Sequence, residues 1–191
     1  MAFLGSATFL FLFIHVIPCV FAGDNDLLVE TMNGFVFGAR AFGAQRFLGM
    51  PFAQPPVHNL RWAPPLPPTN WSGIRNASAY AHNCATTSGD YVADLSEDCL
   101  YLNVYRPDNT TNAANLPVML FLYGGSFVEG GTSLFVYDGS YVSRHGNVIF
   151  VTSNYRLGPF GFLGSPLLAK VSPDNSTGNY GLQDQRSALE W

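Results

Sequence analysis

Charge is scarce in this chain: Asp, Glu, Lys and Arg make up 12% of its 191 residues, and Lys and Arg together number only 9. Those cations are scattered and the formal net charge is −4, so the basic patch that nucleic acid requires is missing. Cysteine is also sparse, with 3 residues, and no His, Cys and carboxylate side chains stand at the spacings of a metal site. No metal and no other cofactor is expected. Internal repeats and low-complexity tracts are absent as well. What the chain does have is apolar character, at 48% with 15% aromatic, the composition of a globular protein that buries much of its surface.

No Lys or Arg precedes the apolar run at residues 9–17, which is short for a bilayer and is followed closely by Pro18, with His15 inside it. Val20-Phe21-Ala22 then offers the small or modest residues that a signal peptidase reads. Residues 1–22 are therefore expected to be a signal peptide and Gly23 the first mature residue. The protein would be secreted or held in the secretory pathway, with no stable membrane span in its mature chain. Cys19 leaves with the signal, so Cys84 and Cys99 remain as an even pair free to form one disulfide in an oxidising space. Closing a loop of about fifteen residues contributes roughly 3 kcal/mol in the chain-entropy picture. Asn70, Asn76, Asn109 and Asn175 each open an Asn-x-Ser/Thr triplet in a polar or turn-like setting, which makes them glycosylation acceptors in that compartment.

Along the mature chain, residues 27–31 and 35–40 flank Asn33-Gly34 and predict an antiparallel ribbon with that dipeptide in a two-residue turn. Residues 47–50 read as a third short strand. The proline-dense stretch 51–68 lacks too many N–H donors for a central strand or long helix, and predicts a winding loop that tucks Phe52, Leu60 and Trp62 away from water. Residues 99–105 alternate as a half-buried strand does, while Val148-Ile149-Phe150-Val151 reads as a fully buried parallel strand. Gly158, Gly161 and Gly164 loosen the segment that follows. A helix is expected from Leu182 to the end, with Leu182, Leu189 and Trp191 apolar and Asp184, Gln185 and Arg186 polar.

The most informative stretch is 117–131, Pro-Val-Met-Leu-Phe-Leu-Tyr-Gly-Gly-Ser-Phe-Val-Glu-Gly-Gly. Its uncharged run 118–123 predicts a strand buried on both faces that breaks into glycines at its carboxyl end. In open α/β sheets ligands sit at the carboxyl ends of strands. Gly124 and Gly125 there would let successive N–H groups turn towards one point with no Cβ in the way, which suits a developing negative charge. Glycine-rich loops in lipases and esterases have this form. Taken alone, the pair is also ordinary punctuation between a strand and a loop.

The surrounding residues decide between these readings. Phe47-Leu-Gly-Met-Pro-Phe-Ala-Gln-Pro-Pro, Asn59-Leu-Arg-Trp, Ser96-Glu-Asp-Cys-Leu-Tyr-Leu-Asn-Val, Tyr123-Gly-Gly, Asn154-Tyr-Arg-Leu-Gly and Gly178-Asn-Tyr-Gly-Leu-Gln-Asp-Gln-Arg occur in this order. In them the mature chain from Leu27 onward resembles the type B carboxylesterase and cholinesterase family of α/β-hydrolases. The resemblance implies the N-terminal portion of an α/β-hydrolase fold, incomplete here, with a mostly parallel central sheet preceded by the antiparallel ribbon. It implies hydrolysis of small-molecule carboxylic esters by a Ser, acid and His triad, whose tetrahedral oxyanion accepts hydrogen bonds from the glycine loop.

By position, the oxyanion donors are the N–H groups of Gly125 and Ser126, with Gly124 shaping the loop. Ser126 stands where the family usually has a third glycine. No Ser in the chain has Gly both two residues before and two after, so the triad is missing from these residues, and His58, His82 and His145 read as ordinary loop or surface residues. The chain is accordingly expected to be an N-terminal piece of a longer enzyme, covering residues 23–191 of a carboxylesterase domain and stopping before the serine elbow. The resemblance further pairs Arg61 with Glu97 and Arg156 with Asp184 as buried structural ion pairs, and places Cys84 and Cys99 at the ends of a loop. In cholinesterases that loop is longer and carries a Trp that holds quaternary ammonium. Residues 85–98 contain no Trp, only Tyr91, so a general carboxylesterase is expected over a choline esterase. The alternatives are a catalytically silent relative used for adhesion or binding, suggested by Ser126, and a non-functional fragment.

Overall fold

The structure, a computed structural model, describes residues 25–86, 92–111, 114–172 and 175–191. Residues 1–22, expected to be a signal peptide, lie outside the described residues, as do Gly23 and Tyr91.

The strands are β1 (Leu28–Thr31), β2 (Gly34–Phe37), β3 (Ala39–Ala41), β4 (Ala44–Pro51), β5 (Ile74–Asn76), β6 (Asn83–Cys84), β7 (Leu95–Ser96), β8 (Tyr101–Pro107), β9 (Val118–Leu122) and β10 (Ile149–Ser153). The helices are α1 (Ser140–Gly146), α2 (Gly158–Phe162), α3 (Pro166–Val171) and α4 (Tyr180–Glu190). Among the described residues the main sheet runs β3-β4-β8-β10-β9, and a smaller sheet runs β1-β2-β5.

The ribbon forms where the sequence puts it, but its turn is shifted by one residue. Thr31 pairs with Gly34, so Met32 and Asn33 are the turn and Gly34 opens β2. The Thr31 hydroxyl donates to the Gly34 carbonyl and accepts from the Asn33 amide, closing the turn one position early. Gly34 has φ 144° with the Trp71 indole against it; a Cβ there would sit 2.6 Å from Trp71 Nε1.

The main sheet is mixed rather than mostly parallel. β3/β4, β4/β8 and β8/β10 are antiparallel, and parallel pairing is confined to β9/β10. Two strand readings exchange places. β8, whose alternation predicts half burial, is central and buried through most of its length; its Asn103 is satisfied by accepting from the Gly49 amide and donating to Thr152 Oγ1. β9, whose apolar run predicts burial on both faces, pairs among the described residues only with β10 and leaves Val118 67% and Met119 50% exposed. An apolar run reports what a strand's side chains tolerate, whereas its number of neighbours is set by topology.

The core lies between the sheet and its surroundings. Phe47, Met50, Phe52, Leu100, Leu102 and Tyr155 are central to one side, and Leu48, Tyr105 and Phe150 form the cluster on the other. From the proline-rich loop Phe52 is fully buried and Leu60 and Trp62 are half-buried; the Trp62 indole donates to the Pro159 carbonyl at 2.8 Å. The glycines after β10 do not leave an irregular stretch, since Gly158 begins α2 and α3 follows with Ser165 as its cap. Helix α4 starts two residues earlier than expected and turns Tyr180, Gly181, Asp184 and Ala188 inward. Leu182 and Leu189 are exposed instead, because the buried charge of Asp184, not the leucines, orients this helix.

Candidate active site: the glycine loop after β9

Parallel pairing sets Leu122 beside Ser153, so β9 and β10 release the chain side by side at one end of the sheet. A reciprocal tyrosine pair fixes both exits. Tyr123 Oη donates to the Tyr155 carbonyl at 3.2 Å and Tyr155 Oη to the Tyr123 carbonyl at 2.9 Å, with the rings stacked 4.7 Å apart. Both phenols are protonated donors at neutral pH, as tyrosines ordinarily are, and burial pushes them further up.

Beyond Tyr123 the backbone enters the left-handed region three times in succession, with φ of 138° at Gly125, 53° at Ser126 and 63° at Phe127. Only glycine fits at position 125, because a Cβ there would lie 2.1 Å from the Glu129 carbonyl oxygen. Its carbonyl turns inward and accepts from the amides of Val128 at 3.0 Å and Glu129 at 3.2 Å. The Phe127 carbonyl accepts from the Gly158 amide at 2.7 Å. Among the described residues the N–H groups of Gly125 and Ser126 donate to no partner, and neither is part of a strand ladder. Gly124 has open space where a side chain would be, and Ser126 is exposed. Such successive free amides can receive an anionic oxygen.

Around this loop the other residues singled out in the sequence come together. Cys84 and Cys99 are joined in a disulfide. Arg156 meets Asp184 in a fork, Nε to Oδ2 and Nη2 to Oδ1 both at 2.8 Å, and its own amide also donates to Oδ2 at 3.0 Å. This pair is buried, the side chains 4% and 0% exposed. Arg61 forks onto Glu97 at 2.5 Å through both contacts, but with side chains 37% and 25% exposed it is a partly solvated pair rather than a buried one. Arg61, Glu97, Cys84, Cys99 and Arg156 line one cavity of about 10 Å³.

The remaining residues lie elsewhere. Asn70, Asn76, Asn109 and Asn175 are all exposed. His58 is exposed, His82 pairs with Asp94 at 2.9 Å, and His145 Nδ1 lies 2.9 Å from the Tyr141 carbonyl. Among the described residues no group of three or more His, Cys, Asp or Glu could hold a metal, and no helix is long and apolar enough to cross a membrane. The sequence did not single out the asparagines that brace the loop's far end. Asn154 Oδ1 accepts from the amide and hydroxyl of Thr132, and Asn154 Nδ2 donates to the His82 carbonyl. Asn154 opens one of the sequence blocks quoted above; nothing local marks its role.

The family whose sequence pattern matches residues 25–191 is the carboxylesterase family. Fumonisin B1 esterase of Sphingopyxis macrogoltabida is 44% identical over 172 residues, which cover 88% of this chain and 31% of that protein. Para-nitrobenzyl esterase of Bacillus subtilis (strain 168) is 42% identical over 170 residues, covering 86% and 34%. Liver carboxylesterase B-1 of Rattus norvegicus is 38% identical over 200 residues, covering 93% and 34%. Among solved structures, a PNB esterase superposes with a TM-score of 0.77 at 42% identity, over 87% of this chain and 34% of that one. The chain thus spans about a third of the length of these relatives.

Proposed function

The chain belongs to the carboxylesterase family, and on that premise we propose that it supplies the oxyanion-binding portion of a carboxylic-ester hydrolase. The observation that carries this reading is the pair of unengaged amides at Gly125 and Ser126, beyond the carboxyl end of β9. An acyl carbonyl attacked by a nucleophile gathers negative charge on its oxygen, and fixed donors that meet that charge stabilise the transition state more than the ground state. The Tyr123–Tyr155 pair and the Gly125 carbonyl's internal bonds hold the loop ready before substrate arrives.

The reacting serine, its acid and its histidine come, in this reading, from polypeptide outside these 191 residues, since no Gly-x-Ser-x-Gly occurs within them. Residues 23–191 are then one part of a single carboxylesterase domain. The substrates are small carboxylic esters rather than choline esters, because residues 85–98 carry no Trp. The disulfide and the exposure of all four sequon asparagines support passage through the secretory pathway. Extending the coding sequence past Trp191 and assaying the product on p-nitrophenyl acetate tests the proposal. The expected result is a Gly-x-Ser-x-Gly elbow and hydrolysis that stops once an organophosphate has modified its serine. An extended protein with no elbow, or with no turnover above the buffer rate, would refute it.

A further inference from the structure

Building on the ester-hydrolysis reading, we propose that Thr86, held by the strap that the Cys84–Cys99 disulfide closes, is a positioning residue for the two oxyanion amides. The direction of the Gly125 and Ser126 N–H groups depends on how the next carbonyls are fastened, and beyond the bonds that Gly125 O accepts within the loop, two of these carbonyls are tethered from outside it among the described residues. Phe127 O is held by the Gly158 amide, at the start of α2. Val128 O is held by the Thr86 hydroxyl, which donates to it. The first tether belongs to the scaffold, as Gly158 follows the fully buried Leu157. The second comes from Thr86, two residues past the two-residue strand β6, so its neighbours must hold it still.

What holds it is the strap 83–86. Cys84 is bonded to Cys99 just ahead of the central strand β8, and the Ala85 amide donates to the Ser96 carbonyl at 3.0 Å. Asn83 grips the far end of the same glycine loop: its Nδ2 donates to Ser133 Oγ at 2.6 Å and its Oδ1 accepts from the Ser133 amide at 3.3 Å. Gly131 makes room for it, since a Cβ there would stand 2.3 Å from Asn83 Oδ1. The strap therefore clasps the loop twice, at Val128 through Thr86 and at Gly131 and Ser133 through Asn83. Between the strand exit and that clasp lie the three left-handed residues, conformations that persist only where their surroundings over-determine them. Without the Thr86 hydroxyl, Val128 O is released and the loop relaxes towards commoner backbone angles, swinging the amides off the anion position. The loss falls on the transition state, where the charge develops, and so on kcat more than on KM.

The test compares Thr86→Val with Thr86→Ser in the whole protein. Hydrogen exchange reads the tether directly through the Val128, Glu129 and Gly158 amides, which bond to Gly125 O and Phe127 O. Thr86→Val is expected to speed their exchange about five- to tenfold, a change of the size of one hydrogen bond. Thr86→Ser, which keeps the hydroxyl, is expected to match the wild type. On p-nitrophenyl acetate Thr86→Val should lower kcat about tenfold at unchanged KM, and Thr86→Ser should restore it. A wild type that cleaves the ester while Thr86→Val equals it in both exchange and kcat overturns the positioning role alone. A wild type that cleaves no ester overturns the ester-hydrolysis reading, and with it the catalytic meaning of the tether, whatever the exchange rates show.

Discussion

At Gly125 a single hydrogen atom in place of a side chain decides whether the loop exists. The position combines φ 138° with a carbonyl 2.1 Å from where a Cβ would be, so Gly125→Ala must move the backbone of residues 125–129 and take the amide of Ser126 with it. In the proposed reaction that removes a pre-aimed donor, and kcat should fall by about 10²–10³, with KM little changed; initial rates on p-nitrophenyl acetate check it. Ser126 is different. It bears a side chain in the left-handed region, which costs something in strain, but its contribution in this reading is a backbone N–H that no side-chain change removes. The hydroxyl itself lacks the flanking glycine a nucleophile elbow requires at position 128.

At the scale of elements, the exit of β10 and helix α4 are joined by one buried ion pair. Arg156 and Asp184 are joined by three hydrogen bonds at 4% and 0% exposure, with Arg156 Nη1 left buried and without a partner among the described residues, and burial pushes the Asp184 carboxyl up while Arg156 opposes the shift. Removing one partner leaves the other as an uncompensated buried charge. Asp184→Asn should destabilise the protein by about 3–5 kcal/mol, whereas replacing both with Met and Leu should cost far less; urea midpoints of the single and double variants separate these outcomes. The Arg61–Glu97 pair has comparable fork geometry but stands partly in water, where such pairs contribute little. The sequence placed both pairs on the same footing, because residue identity carries no information on depth. For the same reason the helix reading could mark Leu182 and Leu189 only as apolar: periodicity names such residues but cannot weigh them against a carboxylate that already has a buried partner.

For the molecule as a whole, β9 is the feature with most consequence. It stands at an edge with Val118 and Met119 exposed, a row of unpaired backbone groups and apolar side chains that another strand can extend. The 191-residue chain alone should therefore self-associate at micromolar concentration, and Met119→Lys should reduce this; light scattering on a sizing column reads it, and a monodisperse wild-type monomer would contradict it. The local sequence determined a good deal here: the glycine punctuation after residues 118–123, the ribbon near Asn33, the even cysteine pair, and an ordered set of blocks specific enough to carry the family. These are properties of short stretches, where φ preference, side-chain period and spacing act directly. Tertiary structure decided the rest. It made β8 central and β9 an edge, made the sheet mixed, left Leu182 and Leu189 of α4 exposed, and brought Asn83 and Thr86 against a loop some fifty and forty residues further on. Each of those outcomes depends on which partner a group finds across the fold, and a partner distant in sequence leaves no mark on the residues beside it.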